Sequence, residues 1–236
     1  MTTFERIQAA WRPALDAMMQ SGAFQRMADG RLTVREYGAI LRQIFHQVRE
    51  HPQALGVFTS RLRGPRRRAM VKMVLKHAVS EAGHDELAIA DLAALGEHVP
   101  GIREERPLPS TAALVAFMHY QLEHENAIGF LGYLFHLEFT PTVVGPALMR
   151  SLQAAGIPEA AMTFIRDHAE IDVGHNQLME RYVEEMVRTE DDLEAVCFVA
   201  RATAHLYGRM FDDAIVASAS SAGETSAERR AVVASS

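Results

Sequence analysis

His77-Ala-Val-Ser-Glu81-Ala-Gly-His84 and His168-Ala-Glu-Ile-Asp172-Val-Gly-His175 share one pattern, H-A-x-x-[acid]-x-G-H. Each sets an imidazole, a carboxylate and a second imidazole at i, i+4 and i+7, within about 60° of one another on a helix of about 3.6 residues per turn. Imidazole nitrogen and carboxylate oxygen suit a metal of intermediate hardness, with iron the first expectation. Composition alone would give one His-x3-acid-x2-His about 0.06 times in such a chain, so two copies with matching Ala and Gly stand out. Within them, Glu81-x-x-His84 and Asp172-x-x-His175 have the [acid]-x-x-His spacing that di-iron carboxylate bundles take from two of their helices.

Leu75, Val79, Leu87 and Ile89 flank the first row, and Phe164, Ile165, Ile171 and Leu178 the second. Both rows are therefore expected to face an apolar interior. Carboxylates buried there without a positive partner cost several kcal/mol each, and two divalent ions would offset that cost. Such a site needs further carboxylates, for which the stretch from Ser110 to Glu138 offers Glu123, Glu125 and Glu138.

The elements that must position these groups read as helices throughout. Expected spans are Thr3 to Met27 with Pro13 as a kink, and Thr33 (capping box with Glu36) to Leu62 with a bend at His51-Pro52. Next come Pro65 to a stop at Gly96, Ser110 to Glu138, Thr140-Pro141 to Gly156, Pro158 to Met186, and Asp191 to Ala217. The segment Glu97–Pro109, with Pro100, Gly101, Pro107 and Pro109, is the clearest loop. The reading is one all-α domain of about seven helices over residues 1–217, followed by a small, polar, disordered tail over 218–236.

At 236 residues, 48% hydrophobic, the chain can bury one large core. A net charge of −6 without a long basic block argues against nucleic acid and anionic membranes as partners. No spanning run of about 18 apolar residues and no secretory signal are read, and Cys197 is the single cysteine. A thiolate cluster is thereby excluded, and a reducing cytoplasm is expected. Trp11 is expected to cover one end of the core or join a dimer contact. Tyr37, Phe45, Tyr120, Tyr133 and Phe135 are expected in the core. Arg61, Arg63, Arg66, Arg67 and Arg68 read as a solvated helix junction.

The stretches His77-Ala-Val-Ser-Glu-Ala-Gly-His-Asp-Glu-Leu, Gly132-Tyr-Leu-Phe-His-Leu-Glu138-Phe-Thr-Pro and His168-Ala-Glu-Ile-Asp-Val-Gly-His175 resemble the haem-oxygenase-like di-iron oxidases and oxygenases. These iron-containing redox enzymes are relatives of the TenA and PqqC proteins. Tyr37 through Leu62 is similar to their second helix, and the resemblance covers roughly Leu32 to Met186. It implies a haem-oxygenase-like helical bundle with Glu81, His84, Glu138, His168, Asp172 and His175 as metal ligands. It favours Glu138 over Glu123 and Glu125. His77 is not among the implied ligands and is expected to donate to a ligand or touch substrate. His124 and His136 are expected in supporting or polar core roles.

The resemblance further implies two Fe2+ ions with O2 as co-substrate. The substrate would be a small amine, amino acid or carboxylic acid undergoing N-oxygenation or oxidative C–C cleavage, with no catalytic residue beyond the ligands. Related helical enzymes are often dimeric, so a homodimer is an expectation. The alternatives are a cofactor-independent TenA- or PqqC-like enzyme, a haem oxygenase, or a non-enzymatic iron-binding helical protein. The thiamin-degrading TenA kind would need a nucleophilic cysteine. A haem pocket would need one proximal histidine and leave the carboxylates unexplained.

Overall fold

The computed structural model describes the backbone of residues 1–65 and 67–234 and the side chains of residues 1–65, 67–168 and 174–220. Ten α-helices and two short 3-10 turns make up the described residues, with no strand among them. The helices are α1 Thr3–Met19, α2 Gly22–Ala28, α3 Val34–Val48, α4 His51–Arg61, α5 Arg67–Glu81, α6 His84–Ala94, α7 Pro109–His124, α8 Phe130–Ala154, α9 Thr163–Met186 and α10 Glu190–Ala234.

The count exceeds seven because several expected helices are interrupted where the backbone turns. Thr33 and Glu36 form the capping box at α3, and Thr2 with Glu5 forms another at α1. The expected bend at His51-Pro52 is a true break between α3 and α4. The most consequential break is at Gly83, whose φ of +100° suits glycine and interrupts what reads as one helix from Pro65 to Leu95. Glu81 thus ends α5 and His84 opens α6, so the first His-acid-His row does not lie on one continuous helix.

At Thr140-Pro141 the reverse holds. α8 runs 25 residues straight through Pro141 and Pro146. The prolines remove the N–H donors to the Leu137 and Thr142 carbonyls, while the hydroxyls of Thr140 and Thr142 donate to the neighbouring carbonyls of His136 and Phe139. Burial of the helix supplies the rest. Similarly α10 does not stop at Ala217 but continues to Ala234.

Residues 127–154, α8 with the turn before it, are long and apolar enough to cross a membrane, with mean hydropathy 1.3, against the expectation of none. Here that apolarity faces protein. α8 packs between α9 and α10 and against α2, and 56% of the apolar stretch is buried. Gly132 makes the α8–α10 contact possible, since a Cβ there would collide with the backbone of Val196 and Ala200. Trp11 is buried and donates from Nε1 to His136 Nδ1 at 3.0 Å, so it seals the core. Tyr120 is not a core residue. It is half exposed and donates to Glu125 on the surface.

α9 lacks a side-chain cap of its own. The wholly buried Asp91 of α6 supplies one, accepting from Thr163 N and Oγ1 and from Phe164 N at 2.9, 2.5 and 2.9 Å. This carboxylate fixes the start of α9, which carries His168 and His175, to the helix that His84 opens.

Candidate metal centre

Four buried side chains from three helices converge in the middle of the bundle. They are His77 and Glu81 of α5, Glu138 of α8 and His175 of α9, each offering a ligand atom within 4.8 Å of all the others. Two atoms each about 2.0–2.2 Å from one ion lie at most about 4.4 Å apart, so small side-chain adjustments bring all four onto a single cation.

The contacts are those of a charge-dense cluster. His175 Nδ1 lies 2.9 Å from Glu138 Oε2 and 3.6 Å from Glu81 Oε1. His77 Nε2 lies 3.1 Å from Glu138 Oε1 and 3.6 Å from Glu81 Oε1. His84 Nδ1 approaches Glu81 Oε2 at 3.2 Å, despite the break at Gly83. The His77 and His175 rings are 4.8 Å apart, as are those of His84 and His168.

Burial opposes the charge on Glu81, yet contacts with His51, His77 and His84 hold its carboxyl far below the usual range. Burial likewise opposes the charge on Glu138, and His175 with His77 brings it down to about 2. Burial also disfavours a proton on His77, but Glu138 and then Glu81 outweigh it and raise that imidazole to about 9. Two ionised carboxylates in the interior therefore draw positive charge toward themselves. In the protein alone that charge comes from imidazolium, and a bound cation would replace those protons.

The donor set fits iron. It holds nitrogen and oxygen with no thiolate. Buried His77 Nε2 points between the two carboxylates, 3.1 Å from Glu138 Oε1 and 3.6 Å from Glu81 Oε1, where a shared cation would be held. His168 Nδ1 is 2.7 Å from the Phe164 carbonyl oxygen, which can only accept, so the proton sits on Nδ1 and Nε2 carries the lone pair. Burial, then neighbouring His84, lowers the pKa of His168 and keeps it neutral.

Of the six residues expected from the sequence, the structure brings Glu81, Glu138 and His175 together directly, with His84 and His168 alongside. The Asp172 side chain lies outside the described residues. His77, expected one step removed, sits in the cluster itself, and its place in the repeated pattern was the available signal. His51 was missed. Its Nδ1 faces Glu81 Oε2 at 3.5 Å, while its Nε2 meets Gln47 Nε2 at 2.9 Å and the Tyr133 hydroxyl at 3.1 Å. The buried polar stripe Gln43, Gln47, His51, spaced by four in apolar surroundings, is the sequence feature that marks it.

His136 belongs to the Trp11 contact in the core, and His124 packs against the exposed Tyr120, so neither joins the cluster. Leu75 and Val79, expected to bury the first row, point outward from α5 and are 48% and 76% exposed. The apolar wall comes instead from other helices. A cavity of about 70 Å³ lined by Phe24, Ile40, Ile44 and Phe164 adjoins His168. On the other side, a cleft of about 480 Å³ reaches His77 and His175.

Solved structures share the architecture. A domain of unknown function with a haem-oxygenase-like fold from Shewanella denitrificans superposes with TM-score 0.81 at 21% identity, over 91% of this chain and 92% of that one. A TenA homologue from Pseudomonas syringae gives 0.75 at 13% identity over 91% and 93%. Haem oxygenase-1 from the cyanobacterium Synechocystis, in complex with haem, gives 0.72 at 10% over 97% and 99%. At these identities the likeness establishes the fold, which is haem-oxygenase-like. No curated protein matches the chain in sequence. Residues 39–208, which hold every side chain of the cluster, match the model of the iron-containing redox enzymes, and the chain belongs to that family.

Proposed function

We propose that this protein is a non-haem, O2-dependent di-iron oxidase or oxygenase acting on a small amine, amino acid or carboxylic acid, by N-oxygenation or oxidative C–C cleavage. The observation that carries the reading is the buried convergence of His77, Glu81, Glu138 and His175. Glu81, His84, Glu138, His168, Asp172 and His175 would hold two Fe2+ ions, with His77 joining them. Bound ferrous iron supplies the electrons and open coordination positions that O2 reduction needs.

The chain's own residues do the rest. Glu81 and Glu138 remain ionised and accept the cations without proton release of their own. His51 holds Glu81 from behind: the carboxylate can only accept, so Nδ1 carries the proton and Nε2 accepts from the Gln47–Tyr133 pair. Phe164, stacked on His168 at 4.1 Å, keeps water off that imidazole. Cys197 is held apart from this chemistry. Burial pushes its thiol up, which disfavours the thiolate that a thiol-dependent TenA-like reaction requires.

Anaerobic Fe(II) titration tests the reading. The expected result is two ions per chain for the wild type, fewer than one for Glu81→Ala and His175→Ala, and O2 consumption only by the loaded wild type. Less than about one ion per wild-type chain, with both variants behaving alike, would sink it.

A further inference from the structure

The cleft that reaches His77 and His175 has walls of a distinct chemistry. One wall is a face of α5 bearing Ala69, Lys72, Met73, Lys76 and Ser80, and the other is a face of α9 bearing Leu178 and Arg181. Lys72, Lys76 and Ser80 recur at intervals of four along α5, while His175, Leu178 and Arg181 recur at intervals of three along α9. Each stripe therefore looks across at the other, with the two imidazoles at the base.

Three cations stand around this opening, and no carboxylate lines it among the described residues. None of Lys72, Lys76 and Arg181 forms an ion pair among the described residues, although the chain as a whole carries a net charge of −6. Elsewhere on the surface Arg6, Arg12 and Arg103 sit against acids while Arg67, Arg68 and Arg150 have no such pair among the described residues, so what sets Lys72, Lys76 and Arg181 apart is that all three line one opening. A single exposed lysine contributes little. Three uncompensated cations around one concave, low-dielectric mouth focus a positive field into it. Met73 and Leu178 add an apolar floor beside the charges, which a bare inorganic ion would leave unused.

We propose that the α5–α9 cleft is the substrate entrance, and that Lys72, Lys76 and Arg181 bind the carboxylate of a small organic acid whose body lies on Met73 and Leu178 above His77 and His175. The consequence for catalysis rests on the di-iron reading given above, while the binding itself does not. Among amines, amino acids and carboxylic acids, the cleft selects those with a free carboxylate. The guanidinium offers a fork and the ammoniums offer point charges, so the acid group is held at the rim and the carbon chain is directed inward.

The test is calorimetric titration of the full chain, metal-free and then Fe(II)-loaded under anaerobic conditions, with hexanoate, its uncharged analogue hexanamide, and inorganic phosphate. Hexanoate is expected to saturate one site in both forms, and hexanamide is expected not to bind. Phosphate is expected not to displace hexanoate, and raising salt from about 50 to about 300 mM is expected to weaken binding. The triple variant K72Q/K76Q/R181Q is expected to lose at least about tenfold in hexanoate affinity, as suits lost charge-assisted contacts. It should keep wild-type circular dichroism and iron content, and R181Q alone should give part of the loss.

Three results overturn the proposal: no saturable binding to the metal-free protein, wild-type affinity in the triple variant, or displacement of hexanoate by phosphate. The two readings separate cleanly. Hexanoate binding that depends on the three cations in a chain that takes up no iron upholds the carboxylate site and ends the di-iron reading. Iron uptake without hexanoate binding does the opposite.

Discussion

A carboxylate at the centre of this bundle is only as well placed as the group behind it. Glu81 is backed by His51, and His51 by the Tyr133 hydroxyl and Gln47. Removing the phenol oxygen in Tyr133→Phe keeps the ring in its stacked contact with Phe130 but leaves the His51 imidazole freer to turn. We expect iron affinity to fall about tenfold, in line with the 10–100-fold typical of such supporting partners, as read by an anaerobic competition titration against a chelator. Circular dichroism should be unchanged. At this scale the sequence was most informative about residue type. The repeated histidines and acids flagged the centre, and only resemblance separated Glu138 from Glu123 and Glu125. His51 escaped because a histidine before a proline reads as a helix boundary, and here it is also one. Its second role depends on Tyr133, far along the chain, and the only local trace of it is the spacing by four of Gln43, Gln47 and His51.

Among the elements, the short interruption at Gly83 matters most. The chain there takes a φ of +100°, which places His84 at the first position of a new helix while its Nδ1 stays 3.2 Å from Glu81. Gly83→Ala would meet no steric neighbour, so its cost is purely conformational, about 1 kcal/mol. The expected readouts are a small loss in denaturant midpoint and a larger loss in iron occupancy, as His84 swings away from Glu81. Asp91→Ala is a harsher change. It strips the first turn of α9 of its acceptor and leaves Thr163 and Phe164 amides buried without partners. The expected loss is about 2–4 kcal/mol in urea unfolding.

Helix existence was legible throughout from apolar spacing and caps, as at Thr33–Glu36. Helix ends were not, wherever a buried context overrode a local breaker. Pro141 reads as a start and is an interior residue. Gly83 reads as an interior residue and is a boundary. The difference lies in their settings: Pro141 sits within the long helix α8, which packs against α9 and α10, while Gly83 adopts the positive φ that ends one helix and lets the next begin.

The whole molecule should respond to acid through a residue remote from the metal centre. Burial lowers His136 to about 3, and Trp11 donates to its Nδ1, so the folded protein keeps this imidazole neutral. The unfolded chain takes up a proton near the ordinary histidine value of about 6.5. Stability from this group is therefore complete above that value and declines as pH falls from there toward about 3, by up to about 1.4 kcal/mol per pH unit. Comparing the pH slope of unfolding free energy for wild type and His136→Gln between about pH 6 and pH 4 should show a difference of about one proton. Equal slopes would remove His136 from the account.

The cap that Asp91 provides joins residues 72 positions apart in the chain. Its consequence is temporal. The opening turn of α9 gains its cap only when α6 is docked, so the two histidine-bearing halves are expected to settle into register together, after a long loop has closed. Iron arriving earlier would meet scattered imidazoles; iron arriving afterward meets a cage already assembled.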